Sequence, residues 1–146
     1  MKRNYDPVQY AKGKDFEAFV ENMFPNRDFE IKQRDDPEGS RKPDLYIKDR
    51  RSRDKFWVEA KWRARLYDDK FKICEQDRLE AYRSFQKGVC PETVFMVLGL
   101  GGEPSMPDEV YCLPLEEIEY PSLFRSVLRD KKHEHASFRY ERGKLY

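Results

Sequence analysis

Asp44, Glu59 and Lys61 are the residues of this sequence whose types and spacing could do chemistry. Fifteen positions separate the two acids, and the lysine follows two further on. Two converging carboxylates, with the main-chain carbonyl of Ala60 between Glu59 and Lys61, make a hard oxygen-donor site suited to Mg²⁺ or Mn²⁺. A lysine beside such a site can orient or deprotonate an attacking water and offset charge building on a phosphate. Carboxylates, metal and lysine are together the set that hydrolysis of a phosphodiester requires.

These groups meet only if the right elements carry them. Residues 56–62 read as a strand, in which alternation puts Trp57, Glu59 and Lys61 on one face and Phe56, Val58, Ala60 and Trp62 on the other. Most of that strand is apolar, and a charge buried there is costly unless paired or metal-bound. Residues 45–47 form a short strand after Pro43, and the charged stretch 49–54 reads as a hairpin connection. Such a hairpin brings Asp44 beside Glu59.

The rest of the chain supplies a frame. Phe16, Phe19, Val20 and Met23 recur at helical spacing and predict a helix over 13–24, ended by Pro25 and Asn26. A strand is predicted over 29–34 and a loop over 35–40. A helix follows over 73–87, closed by Gly88. The apolar run 93–100 predicts a strand covered on both faces, and 110–113 another strand. A helix over 115–129, interrupted by Pro121, comes next. Phe138, Tyr140 and Tyr146 in the polar tail could dock as a strand. This order implies one α/β domain over 1–146, a mixed central sheet with helices on both sides, its core over about 13–100 and a C-terminal extension over 108–146.

Composition bounds the partners. The net charge is only +1, but between Arg41 and Arg65 ten Lys or Arg stand against four Asp or Glu. That cluster fits a solvated hairpin or a nucleic-acid contact. An aromatic content of 14% argues against disorder. Three cysteines (Cys74, Cys90, Cys112) cannot all pair and lack ligand spacing, which fits free thiols in a reducing compartment. No apolar run approaches membrane-spanning length, so a cytoplasmic protein without a membrane partner is expected. His133 and His135 lack a matching ligand pair for zinc. The Gly99–Gly102 stretch lacks the spacing of a dinucleotide fingerprint and reads as a loop.

Pro43-Asp44 followed by Glu59-Ala60-Lys61, after an amphipathic helix, resembles the motif of the PD-(D/E)XK nuclease superfamily. The resemblance spans roughly residues 13–100 and implies a restriction-endonuclease-like αβββαβ core. It implies that Asp44, Glu59 and the Ala60 carbonyl bind Mg²⁺ or Mn²⁺, that Lys61 serves the water, and that the substrate is nucleic acid, DNA favoured over RNA. Many members add an acid from the first helix, for which Glu17 is the best match; an ordinary surface glutamate is the other reading. The RecB-like branch carries Gln and Tyr four residues apart on the next helix, a pattern this chain departs from, since Gln76 is six residues before Tyr82. Arg78, four before Tyr82, could reach a phosphate or pair with Glu59, or sit at the core edge. Arg63, Arg41 and Lys42 are candidate substrate contacts. Trp62, Tyr67 and Arg65 could stack on bases or pack the sheet edge. With one site per chain, cutting both strands would call for a homodimer. A nuclease-fold module that binds nucleic acid or a protein without cutting is the alternative.

Overall fold

The computed structural model describes residues 6–34, 43–88 and 92–146. In chain order its elements are α1 (Pro7–Glu21), β1 (Phe29–Arg34), β2 (Leu45–Asp49), β3 (Lys55–Arg63), β4 (Lys70–Lys72), α2 (Gln76–Gly88), β5 (Val94–Leu100), β6 (Glu109–Pro114), β7 (Ser122–Phe124), α3 (Arg125–Leu128), β8 (Lys132–His133), β9 (Tyr140–Glu141) and β10 (Lys144–Leu145). Six strands form one mixed sheet in the order β1-β2-β3-β5-β6-β8. β3 and β5 run parallel, with α2 as the crossover between them, and the other neighbours are antiparallel. Among the described residues no helix is long and apolar enough to cross a membrane.

The alternation expected along β3 divides the core in two. Phe56, Val58 and Ala60 join Phe16, Val20 and Met23 of the α1 side together with Phe95 and Val97. Trp57 joins Leu79, Tyr82 and Phe85 of α2 together with Met96, Leu98 and Leu113. Both faces of β5 are covered, and all seven of its residues are buried. Burying a large apolar side chain contributes roughly 1.5–3 kcal/mol, so β3 and β5 are the most strongly held part of the sheet.

Three expected elements are displaced. The first helix begins at Pro7 rather than residue 13, because Asp6 caps it, its Oδ1 accepting from the Val8 amide at 3.0 Å. Its first turns are exposed, so no apolar period marks them. The second helix starts at Gln76, not 73; Ile73 and Cys74, just past β4, donate their amides to the Pro121 carbonyl. The third helix, expected over 115–129, is broken up. Leu115–Glu117 is a single 3-10 turn, and the segment after Pro121 becomes β7, paired to β4 with Phe71 opposite Leu123. Only Arg125–Leu128 is α-helical. The tail docks as expected of its aromatics: β8 closes the sheet edge, Phe138 stacks on Phe24 at 4.9 Å and Tyr140 on Phe56 at 5.0 Å. The loop predicted over 35–40, with Asp35 and Asp36, and Cys90 lie outside the described residues.

Gly99 shows how closely α1 sits on the sheet. A Cβ there would come within 2.4 Å of the Phe16 ring, itself 1% exposed. Gly99→Ala is therefore expected to cost about 1–3 kcal/mol of stability through overpacking. Urea denaturation measures this; an unchanged midpoint would contradict the packing described.

Candidate active site

The site forms where β2 begins and β3 is still running. Leu45 pairs with Val58, and Asp44, one residue earlier, faces Glu59. Pro43 is buried beside it and has no N–H to satisfy. Each acid accepts from a backbone amide of the opposite strand. The Asp44 amide donates to Glu59 Oε1 at 3.2 Å, and the Ala60 amide donates to Asp44 Oδ2 at 2.9 Å. In a strand the N–H and C=O of one residue leave by the same edge. The Ala60 carbonyl therefore emerges on the edge where Asp44 lies.

Glu59 is 2% exposed. Lys61, on the same face of β3, places its Nζ 3.3 Å from Glu59 Oε2. From α2 the Tyr82 hydroxyl donates to the same oxygen, and Arg78 Nε donates to that hydroxyl at 3.1 Å. The Arg78 guanidinium also lies over the Tyr82 ring, 5.2 Å from its centre.

These surroundings divide the two acids electrostatically. Burial, then the charge of Glu59, raises the Asp44 carboxyl well above its ordinary range, only partly opposed by the Ala60 amide. Burial alone would raise Glu59 too, but Lys61, the hydrogen bonds from Asp44 and Tyr82, and the charge of Arg78 bring it below its ordinary value. The pair is thus electrostatically unequal, with ionisation favoured at Glu59 and disfavoured at Asp44. Burial and the Glu59 charge push the Tyr82 phenol far up, so it remains a donor. Two acids of this unequal kind, with a carbonyl at their edge, offer oxygen donors that a divalent cation could take over.

The other expected residues fall in different places. Glu17 is near enough for its charge to act on Asp44, and it pairs with Lys14 at 3.5 Å. Among the described residues no three His, Cys, Asp or Glu side chains cluster as a ready metal cage, so Glu17 is not brought into a ligand group with the acid pair. Arg63 differs most from expectation. Its guanidinium donates to the carbonyls of Trp62, Lys72 and Ile73 at 2.9, 2.7 and 2.7 Å, clamping β3 to the returning chain. Trp62 is anchored by its indole N–H to the Gly101 carbonyl at 3.1 Å. Tyr67 remains exposed, with the Arg65 guanidinium 5.3 Å from its ring centre. Arg41 and Lys42 lie outside the described residues. Gly101 and Gly102 turn with positive φ against Asp108, as a loop. The described cysteines, Cys74 and Cys112, are free.

Tyr82 is the site member that sequence reasoning weighed only against the Gln and Tyr pattern of the RecB-like branch. An arginine four residues before a tyrosine, on the buried arc of the helix following the Glu-Lys strand, was the available signal.

No family model matches the chain, and no curated protein does. Among solved structures, the 1.6 Å structure of Hjc, a Holliday junction resolvase from the archaeal hyperthermophile Archaeoglobus fulgidus, matches with a TM-score of 0.55. The match covers 82% of this chain and 90% of that one at 17% identity. The chain has the restriction-endonuclease-like fold. At that identity the likeness speaks for the sheet and its flanking helices. Within the restriction-endonuclease-like fold, Asp44 and Glu59 occupy adjacent strands at the centre of the sheet.

Asp44 supplies a test of the site's electrostatics. Unfolded, its carboxyl returns to its ordinary value of 3.8, whereas folded it holds its proton to higher pH. Its contribution to stability is then complete below 3.8 and is lost as pH rises through the folded value. Asp44→Asn removes that dependence while retaining a group able to accept from the Ala60 amide. In metal-free buffer the variant should be more stable than the natural chain near neutral pH, with the gap closing on acidification. Thermal melts from about pH 4 to pH 8 measure it, and a gap independent of pH would refute the raised Asp44 carboxyl.

Proposed function

We propose that this chain is a divalent-metal-dependent nuclease that hydrolyses phosphodiester bonds in DNA. The observation that carries the reading is the convergence of Asp44 and Glu59 on adjacent strands, each carboxylate accepting from the other strand's backbone, with Lys61 on the same face of β3 as Glu59. The donor set fits Mg²⁺ or Mn²⁺: two carboxylates and the Ala60 carbonyl, all hard oxygens. When bound, the metal supplies Lewis acidity toward the phosphate and a more acidic water.

The chain's own residues do the rest. Asp44, Glu59 and Ala60 would hold the cation. Lys61, its side chain 23% exposed, reaches from the buried acid toward solvent, where a phosphate would lie. There its ammonium orients the attacking water or offsets charge on the phosphate. The basic stretch between Arg41 and Arg65 supplies backbone contacts, and Arg65 with Tyr67 offers an exposed stacking surface. Hjc acts on Holliday junctions by its name; branched DNA is accordingly among the substrates to try. With one site per chain, two copies acting together would let both strands be cut in a single encounter.

A second reading, a nuclease-fold module that binds without cutting, draws on one observation: Glu59 is already satisfied by Lys61, Tyr82 and the Asp44 amide. Such a network can be a structural ion pair. Linear, circular, branched and single-stranded DNA, incubated with Mg²⁺ or Mn²⁺, separates the readings. Cleavage is expected in at least one substrate, with Lys61→Ala lowering the rate by about 10²–10⁴-fold while its circular dichroism spectrum stays native. Undiminished cleavage by Lys61→Ala would overturn the assignment, and no metal binding at millimolar concentration would favour the binding module.

A further inference from the structure

We propose that Tyr82, backed by Arg78, is a positioning residue for Glu59: its hydroxyl holds the carboxylate in place from α2, so that Lys61 can leave Glu59 for the substrate. The inference rests on the metal-site reading above and adds the part of the chain that keeps the site assembled.

Tyr82 is wholly buried, its ring packed with Leu79 and Phe85 in the core on the α2 side. Only its hydroxyl meets the site, and the direction of that group's one proton is determined by its neighbours. Arg78 has no acceptor, so where Arg78 Nε meets the hydroxyl at 3.1 Å the oxygen must accept. The phenolic proton is left to point at Glu59 Oε2. The chain Arg78, Tyr82, Glu59 therefore has one polarity, ending on the buried carboxylate. Charge-assisted hydrogen bonds of this kind are the strong ones, and they restrict the orientation of the group that accepts them.

Lys61 shares Oε2 with Tyr82 but on different terms. Its Nζ stands at 3.3 Å, longer than the ~2.7–2.9 Å of a strong charge-assisted contact. Its side chain is 23% exposed, against 2% for Glu59. Of the two donors on Oε2, Lys61 is the one with somewhere else to go. If Tyr82 were absent, the departure of Lys61 would strip Oε2 of both its donors, a costly state for an ionised group. With Tyr82 present, Oε2 keeps a donor while Lys61 moves. The Asp44 amide does the same for Oε1, at 3.2 Å. Partners of this sort typically matter to a metal site by tens of fold in affinity.

The experiment is calorimetric titration of Mn²⁺ into the DNA-free protein, comparing the natural chain with Tyr82→Phe and Arg78→Ala. Tyr82→Phe removes the hydroxyl and keeps the ring, so the core stays filled. The expected result is a Mn²⁺ dissociation constant raised by about 10–100-fold in Tyr82→Phe, and raised to a lesser degree in Arg78→Ala. A purely structural role would lower the melting temperature and leave the dissociation constant of the folded protein where it was. Unchanged affinity in both variants, with the natural chain binding Mn²⁺, would overturn the positioning role alone. Failure of the natural chain to bind millimolar Mn²⁺ would overturn the metal-site reading and this inference with it. Should Tyr82→Phe not fold, Arg78→Ala, at a half-buried position, decides the matter by the same measurement.

Discussion

Two carboxylic acids held against each other at the start of β2 and the middle of β3 are the constraint on which the rest of this structure depends. Such a pair is unfavourable twice over, through lost hydration and through mutual repulsion. The chain offsets this with local donors: the Asp44 and Ala60 amides from the strands, Lys61 from the same strand, and Tyr82 with Arg78 from the crossover helix. Burial and the Glu59 charge still raise the Asp44 carboxyl above its ordinary range.

The packing follows from the need to hold that geometry. A one-residue slip between β2 and β3 would turn Glu59 and Lys61 onto the α1 face and separate Asp44 from Glu59. Apolar residues on both faces oppose such a slip. Phe56 and Val58 are committed to the α1 side and Trp57 to the α2 side, where it stacks on Tyr46 at 4.3 Å. Beyond the site, Arg63 ties β3 to the carbonyls of Lys72 and Ile73, so the strand carrying Glu59 and Lys61 is fixed at its far end too.

The order of the central elements and the meeting of Asp44 with Glu59 were legible because they rest on local periodicity. Alternation along residues 56–62 assigns the faces, and the apolar run of β5 announces a covered strand. What escaped reading depends on contacts between distant segments. Nothing near Ile73 indicates that its amide will donate to the Pro121 carbonyl, and nothing in Ser122–Phe124 alone indicates pairing with β4. The early start of α1 was written in Asp6 and Pro7, a cap and a first-turn proline, but its exposed turns carry no apolar period. Tyr82 is a core residue. Its second role lies in one hydroxyl that only the packed helix brings to Glu59.

The central claim is that Asp44 and Glu59 form one cation site with Lys61 at its solvent side. Anomalous diffraction from crystals of the natural chain soaked in millimolar Mn²⁺ tests it most directly. The account predicts a single strong peak between the two carboxylates, on the edge where the Ala60 carbonyl emerges, with Tyr82 still on Glu59 and Lys61 drawn away from it. Absence of any peak there, with Lys61 still paired to Glu59, would contradict it.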